Sequence, residues 1–396
     1  MTLASGVAGG PVGPAADALP LSRFRSEFPI FRDRIYLNTC SLGPLGERAR
    51  RRLAGFLDTW QARGAAAWYD DWWAALAELR ARYGKVIGAG ARDIALAPSV
   101  SAAVGAVASA IDYRKRPRVV VTSLDFPTVV YQWLAKRPHG VEVVLVESPD
   151  QVSVPVEAIA RAVDDRTALV ATSHVYFTSG AIQDIAAVAD VAHRRGALCL
   201  IDAYQGVGQL PVDAPATGVD FLIAGGLKWL LGGTGIVFCY VREGLARELA
   251  PSAAGWFGHR DQFAFEPRAL EFHDDARRFE QGTPALPSVF TQLGGLEYIE
   301  ELGVAAIRRA TAALAEDLVA RAREAGFRPK VAATPDTRSA IVMLPAADPA
   351  AAVRQLAASG IVADARPGHV RLSPFFYNLQ EDHAAALERL AAHRSH

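Results

Sequence analysis

Three short stretches of the chain place reactive residues where a predicted strand ends. Ser99 and Ser101 come at the start of a predicted helix, where hydroxyls and free amide groups suit an anion such as a phosphate. Asp202 closes the apolar run LCLID, and a buried acid is costly unless a cation such as a heterocycle nitrogen accompanies it. Lys228 has apolar neighbours, and desolvation lowers the pKa of a lysine and makes its amine a nucleophile for Schiff-base chemistry.

Each stretch alone also has an ordinary structural explanation: a helix cap for the serines, a turn for Asp202 and a surface position for Lys228. Together they match one cofactor, because pyridoxal phosphate has a phosphate, a ring nitrogen and an aldehyde, one for each stretch. The sequence has no zinc-ligand spacing, P-loop or nucleophile elbow, and the glycines of GVGQLP lack the dinucleotide-binding spacing. We therefore expect pyridoxal phosphate and no metal.

The elements that must position these residues are short apolar runs that alternate with helical segments over residues 92–241. This alternation predicts an α/β fold with a mostly parallel central sheet flanked by helices, whose strand ends form the ligand site. The runs are DIALA, RVVVTS, VEVVLV, TALVATS, ALCLID, DFLIAG and GIVFCYV.

The regions before and after residues 92–241 differ from them in composition and predicted structure. Residues 45–84 are predicted to be helical and contain Trp60, Trp68, Trp72 and Trp73, which suit helix packing or a subunit interface. After residue 288, Ala-rich helices and two strand-like runs predict a smaller α+β domain. We predict a flexible leader over residues 1–20, a cofactor-binding domain over 21–290 with 21–45 packing on the small domain, and the small domain over 291–396.

Composition narrows the partners and the location. The 396 residues hold 42 basic and 42 acidic side chains, so the chain lacks the basic surface of a nucleic-acid binder. No apolar run approaches the roughly 20 residues of a membrane span. Cys40, Cys199 and Cys239 are far apart and match no metal spacing, which indicates reduced thiols of a cytoplasmic protein. We expect a small-molecule partner and neither nucleic acid nor membrane.

Longer stretches of the sequence resemble the class V aminotransferase family of fold-type I pyridoxal phosphate enzymes. This family includes cysteine desulfurases, selenocysteine lyases, isopenicillin N epimerases and kynureninases. The resemblance runs over residues 35–378 and is carried by IYLNTCSLGPLG, HRRGALCLIDAYQGVGQLPVD, LKWLLGGTGIVF and RRFEQGTPALPS.

The resemblance implies roles for residues around the cofactor. Lys228 would form the Schiff base and later move the Cα proton, Asp202 would pair with the pyridine nitrogen, and Gln205 would hydrogen-bond the phenolic oxygen. Phe126 would stack on the ring. The phosphate would be held by the helix start that comprises Ser99, Val100 and Ser101.

Further roles concern the substrate and a second subunit. Arg371 would bind the substrate carboxylate, with Arg366 as a competitor for this role. Thr283 and Trp256 would reach the cofactor phosphate of a neighbouring subunit, which implies a homodimer with shared active sites. The resemblance also places two residues at the substrate: His259, which would face the site, and Cys40, in the entrance segment.

Departures from the family patterns bear on the reaction. The segment DARPGHVRLS lacks the cysteine of a desulfurase, and Gly225 and Leu227 replace the serine and histidine of that group. LDFPTVVYQW, GWFGHRDQFAFEP, GTPALPS and CSLGPL resemble kynureninases, but Val129, Leu227 and Gln205 depart from them. We expect side-chain cleavage of an amino acid by a lyase or a kynureninase-like hydrolase. The alternatives are an aminotransferase, an epimerase and a non-catalytic pyridoxal phosphate binder.

Overall fold

The computed structural model describes residues 21–393 of the chain. In chain order the α-helices are α1 (Ser22–Arg25), α2 (Glu47–Arg63), α3 (Trp72–Val86), α4 (Val100–Ala110), α5 (Pro127–Leu134), α6 (Val156–Ala162), α7 (Ile185–Arg194), α8 (Ala214–Thr217), α9 (Leu245–Glu248), α10 (Leu286–Leu302), α11 (Val304–Glu324), α12 (Pro349–Ala358) and α13 (Gln380–Leu390). The strands are β1 (Ile35–Tyr36), β2 (Ile94–Ala97), β3 (Arg118–Thr122), β4 (Glu142–Val146), β5 (Thr167–Ser173), β6 (Leu198–Asp202), β7 (Phe221–Gly225), β8 (Val237–Val241), β9 (Val342–Pro345), β10 (Ile361–Val362), β11 (Asp364–Arg366) and β12 (His369–Leu372). The predicted leader, residues 1–20, lies outside the described residues.

The central sheet has seven strands in the order β2-β8-β7-β6-β5-β3-β4. Strands β3 to β7 pair in parallel, and β8 runs antiparallel to both β7 and β2. Each of its strands coincides with one of the seven apolar runs, so the prediction of a mostly parallel sheet flanked by helices is confirmed. Because only β8 is reversed, the ends of β2, β5, β6 and β7 lie at the same edge.

Both faces of this sheet are buried, which explains why its strands are continuous apolar runs. Side chains alternate between the faces along β6: Cys199 and Ile201 join the core on one side, while Leu200 joins the core on the other. The first core is covered by α7 through residues such as Val188, and the second by α4 through residues such as Val107.

A second, antiparallel sheet of three strands has the order β11-β12-β9. It packs with α11, α12 and α13 around a separate core that includes Leu318, Leu344, Leu356 and Leu387. Strand β1 pairs in parallel with β10, which ties the segment after α1 to this region. The boundary at residue 290 stays a prediction, and α10 runs across it. No helix of residues 21–393 is long and apolar enough to cross a membrane.

A buried ion pair fixes the chain that leads from the central sheet to α10. Arg80 of α3 contacts both carboxylate oxygens of Glu280 at 2.8 Å, and one of these oxygens also accepts the backbone N–H of Leu96 at 3.0 Å. The pair therefore joins α3, β2 and the segment that carries Thr283. Burial raises the pKa of Glu280, and the charge and hydrogen bonds of Arg80 oppose this shift.

We expect Glu280→Ala to lower the free energy of unfolding by about 3 to 5 kcal/mol, because it leaves the Arg80 charge buried without a partner. Urea unfolding measures this change. Glu78→Ala is the control, because Glu78 pairs with Arg82 on an exposed part of the same helix; its effect should stay below about 1 kcal/mol. Equal effects of the two substitutions would contradict the structural role of the buried pair.

Candidate active site

A cavity of about 390 Å³ lies at the edge where the parallel strands end. It brings together most of the predicted site residues: Cys40, Ser99, Val100, Ser101, Phe126, Asp202, Gln205, Lys228 and Arg371. The competing arginine, Arg366, lines it too. Residues that are more than three hundred positions apart in the chain thus meet in one place, as the strand-end argument predicts.

The start of α4 forms one wall of the cavity and offers donors to an anion. Ser99 is the N-cap, and its hydroxyl oxygen accepts the backbone N–H of Ala102 at 3.1 Å, so its own O–H remains available to donate. The Ser101 hydroxyl lies 3.1 Å from the hydroxyl of Thr128. Free backbone N–H groups and the helix dipole favour a phosphate here. Thr128 is an addition that the sequence did not suggest.

Asp202 ends β6 with its carboxylate 6% exposed. Its Oδ1 accepts the backbone N–H of Tyr204 at 2.9 Å, and Oδ2 accepts no hydrogen bond from residues 21–393. Burial raises the pKa of Asp202, while that hydrogen bond and the charge of Lys228 oppose the rise. A protonated ring nitrogen is the kind of partner that this half-satisfied carboxylate can accept.

Lys228 follows β7 in a tight glycine-rich turn. The turn closes with a hydrogen bond from the Gly232 N–H to the Gly226 carbonyl at 2.8 Å. It packs against Gly43, where a Cβ would collide with the backbone oxygen of Lys228. These glycines are required because the backbones approach too closely for a side chain.

The amine of Lys228 is set apart from an ordinary lysine by its surroundings. Burial lowers its pKa to about 8; Cys40 and Asp202 oppose the shift, whereas Arg371 and Arg366 add to it. Nζ lies 4.3 Å from the ring centre of Tyr204, another residue of the cavity wall. A buried amine with a pKa near neutrality is available both as a nucleophile and as a proton carrier.

Gln205 connects three parts of the site. Its Nε2 donates to the carbonyl of Cys40 at 2.9 Å, and its Oε1 accepts the indole N–H of Trp229 at 2.9 Å. These two bonds fix the orientation of the amide and leave one amide hydrogen unused. The free hydrogen suits an oxygen substituent on a ring held by Asp202.

Arg371 lies on β12 and is 1% exposed. Its Nη1 donates to the carbonyl of Phe177 at 3.0 Å, and its Nη2 donates to Ser41 Oγ at 2.8 Å and Asp364 Oδ2 at 2.6 Å. Arg366 Nη1 contacts the other oxygen, Asp364 Oδ1, at 2.7 Å. Asp364 thus bridges the two arginines that the sequence left as competitors.

Three predicted residues lie in other cavities of the single chain. Trp256 and His259 line a cavity with Phe265, whose ring stacks on Trp256 at a centroid distance of 5.9 Å. Thr283 lines another cavity near Pro98. Within one chain these residues are not brought to Lys228, and their roles stay predictions.

Ser41, Thr128, Tyr204 and Asp364 are site neighbours that the sequence reasoning missed. Tyr204 could have been found, because it lies between Asp202 and Gln205. Asp364 and Arg366 are two residues apart on β11. Strand register places Asp364 opposite Arg371, but this pairing is visible only in the folded hairpin.

The groups left unsatisfied match pyridoxal phosphate in kind and in position. Around one cavity there is an anion site at α4, a carboxylate oxygen at Asp202, a spare amide hydrogen at Gln205 and a buried amine at Lys228. These correspond to the phosphate, the ring nitrogen, the phenolic oxygen and the aldehyde. The residues present therefore fit the cofactor.

Two comparisons of sequence place the chain among known proteins. The family model "Aminotransferase class-V" matches residues 58–387. The chain is 33% identical over 377 residues to an uncharacterized aminotransferase, YcbU, of Bacillus subtilis (strain 168), covering 94% of this chain and 98% of that protein. It is 30% identical over 302 residues to a kynureninase of Geobacillus thermodenitrificans (strain NG80-2), covering 73% of this chain and 70% of the kynureninase.

A comparison of structures agrees on the fold. The apo structure of a cysteine desulfurase from Thermococcus onnurineus NA1 superposes with a TM-score of 0.86 at 20% identity, covering 96% of this chain and 99% of that one. The cofactor is pyridoxal 5′-phosphate, as the family and the residues of the cavity both indicate. The chain belongs to the class V aminotransferase family of pyridoxal-phosphate-dependent enzymes with the fold-type I architecture.

Proposed function

We propose that this enzyme cleaves a bond of an amino acid's side chain, with Lys228 as the residue that binds the cofactor and moves the Cα proton. The observation that carries the role of Lys228 is its buried amine, whose pKa burial lowers to about 8, in the same cavity as Asp202. Burial of a charged amine is costly, so a buried lysine with a shifted pKa in a cavity is a candidate functional residue.

The cavity residues divide the work of holding the cofactor. Ser99, Val100 and Ser101 would bind its phosphate at the start of α4, and Asp202 would pair with its protonated ring nitrogen. Gln205 would donate its remaining amide hydrogen to the phenolic oxygen. Phe126, half exposed at the N-cap of α5 and in edge contact with Phe177, covers the ring. The bound cofactor supplies an electron sink for the substrate Cα.

Lys228 is suited to proton transfer at Cα because its pKa of about 8 lies close to neutral pH. When it is not bound to the cofactor, the amine would act as a base, because its environment is too apolar to favour a permanent positive charge. Tyr204 faces the amine with its ring at 4.3 Å and limits where the amine can move.

Arg371 binds the substrate carboxylate in this proposal. An arginine side chain has five N–H donors. Three of those on Arg371 are used in its contacts with Phe177, Ser41 and Asp364. The buried Nε has no partner among the described residues. A buried arginine with unused donors suits an anionic partner, and a charge-assisted hydrogen bond to a carboxylate is strong.

Side-chain cleavage is favoured over other outcomes by the kynureninase relative and by the stretches that resemble kynureninases. Transamination is the second candidate, because the relative named as an aminotransferase covers 94% of this chain. The two reactions share every step up to removal of the Cα proton. They differ in where the next bond breaks or the next proton is added.

A panel of amino acids distinguishes these reactions. We expect the holoenzyme to release alanine or pyruvate together with a side-chain fragment from its substrate, measured by mass spectrometry of the products. The Lys228→Ala enzyme is the control and should release none. Sustained amino transfer to added keto acids, with pyridoxamine phosphate as an intermediate product, would overturn side-chain cleavage in favour of transamination.

We expect borohydride to attach the cofactor covalently to Lys228, which peptide mass spectrometry detects. Lys228→Ala should abolish the labelled peptide, because no other lysine lines the cavity in the described chain. Lys330→Ala is the matched control: burial lowers the pKa of Lys330 too, but this residue lies beside the small sheet, and labelling should persist.

The pH dependence of cofactor capture tests the same assignment. The neutral amine is the nucleophile, so capture by the apoenzyme should accelerate as pH rises through about 8 and level off above it. Absorbance of the Schiff base follows this reaction. A midpoint near the value of an ordinary lysine, or labelling of the Lys228→Ala enzyme, would contradict the role of Lys228.

We also propose a homodimer in which Trp256 and Thr283 of each chain approach the partner's cofactor. Trp256 lies in a cluster of exposed aromatic side chains with Phe263 and Phe265, which are 59% and 70% exposed in the single chain. Exposed apolar patches of this kind mark interaction surfaces. A cytoplasmic location remains a prediction from the free, buried cysteines of the described chain.

Sedimentation equilibrium should give twice the 42.3 kDa mass of one chain. Phe265→Asp should shift the protein toward the single-chain mass, because it places a charge in the apolar contact. A mass of one chain for the unaltered holoenzyme at micromolar concentration would exclude the shared site.

A further inference from the structure

Asp364 is an acid placed between the two arginines of the substrate side of the cavity. We propose that Asp364 is a specificity-determining residue: it neutralises one of the two arginines, so that the site accepts amino acids whose only carboxylate is the α-carboxylate. This inference rests on the proposed binding of that carboxylate by Arg371. It adds the substrate class, amino acids without an acidic side chain.

The geometry of Asp364 leaves neither of its oxygens free. Oδ1 accepts from Arg366 at 2.7 Å, and Oδ2 accepts from Arg371 and from the Ser41 hydroxyl, both at 2.6 Å. Strand register places Asp364 directly opposite Arg371 in the β11–β12 hairpin. The carboxylate is therefore held in a fixed position by the two arginines that line the cavity and is not a base awaiting a proton.

Asp364 also keeps its negative charge. Burial would raise its pKa, but the Ser41 hydrogen bond and the charges of Arg371 and Arg366 outweigh this effect, and the pKa is lowered. Loss of the charge at neutral pH is thus excluded by the same contacts that hold the side chain in place.

The charges that a substrate meets can be counted. The cationic side chains that line the cavity in the described chain are Lys228, Arg366 and Arg371. Lys228 and Asp202 are assigned to the cofactor. The remaining charges are those of Arg366, Arg371 and Asp364, which sum to a net charge of plus one. One α-carboxylate satisfies this charge.

A second carboxylate on the substrate would find no second uncompensated positive charge, because Arg366 is already paired with Asp364 at 2.7 Å. Beyond the arginines, the wall includes apolar side chains such as Val175, Phe177 and Leu227. An acid placed there would be desolvated, and the Asp364 carboxylate would repel it. Rejection of acidic side chains follows from unpaired charge and requires no steric block.

Calorimetric titration of the holoenzyme with pentanoate and with glutarate tests this without turnover. The two probes have the same number of carbons and differ by one carboxylate. We expect the unaltered enzyme to bind pentanoate at least about tenfold more tightly, which corresponds to one charged hydrogen-bonded contact. Tighter or equal binding of glutarate would overturn the inference, even if no variant folds.

Asp364→Asn keeps the shape and an acceptor but removes the charge, so glutarate binding should improve by about tenfold or more relative to pentanoate. Ser41→Ala is the matched control, because it loosens Asp364 and Arg371 without changing the charge; it should not improve glutarate binding relative to pentanoate. The double variant Asp364→Asn/Arg366→Gln restores one net charge and should return the preference to pentanoate.

The outcomes separate charge from structure. If Ser41→Ala raises glutarate preference as much as Asp364→Asn, or if the double variant keeps the altered preference, the role of Asp364 is structural and the inference is wrong. Absorbance of the bound cofactor is recorded for every variant. Failure of the unaltered protein to bind pyridoxal phosphate would count against the proposed function itself, whereas normal cofactor binding with the wrong carboxylate preference would count against this inference alone.

Discussion

Two opposite charges buried at one edge of a parallel sheet, those of Asp202 and Lys228, are the constraint on which the rest of the site depends. Burial opposes both charges, raising the pKa of the acid and lowering that of the amine to about 8. Neither has a full set of partners within the described chain. Such a pair is stable only if the fold supplies rigid support and if a ligand completes the missing contacts.

The support comes from the way the parallel strands end together. Asp125, which follows β3, accepts hydrogen bonds from the backbone N–H groups of Thr122 and Ser173 at 2.8 and 2.7 Å and so joins the ends of β3 and β5. Asp125 is 6% exposed, and this burial raises its pKa to about 6. Asp202 is paired with Ser173 in the register of β5 and β6, so its position is fixed as well. The cofactor end of the cavity is therefore built by the strand ends of the central sheet and by the segments that follow them.

For this half of the molecule the sequence predicted the strands and the principal cofactor residues, because the signals are local, although it missed Thr128 and Tyr204. Apolar runs bounded by turns predicted all seven strands of the central sheet, and Asp202 and Lys228 stand out because each follows such a run. The substrate half depends on contacts between distant segments: Ser41 meets Asp364 across 323 positions of the chain. No local sequence pattern predicts such a contact. The roles proposed for Trp256 and Thr283 also require a second chain.

This division has a consequence for how specificity can change. The β11–β12 hairpin carries Asp364, Arg366 and Arg371 and belongs to the small antiparallel sheet, whereas the residues assigned to the cofactor lie on and beside the central sheet. A charge can be added or removed in the hairpin without repacking the strands that hold Asp202. Arg371 is 1% exposed and already pairs with Asp364. A change in the number of charged side chains in the hairpin would therefore act mainly by leaving a charge in the cavity without a partner. If Asp364 sets the specificity as proposed, substrate choice depends on charge pairing in the small sheet and is separable from the cofactor chemistry at the large one.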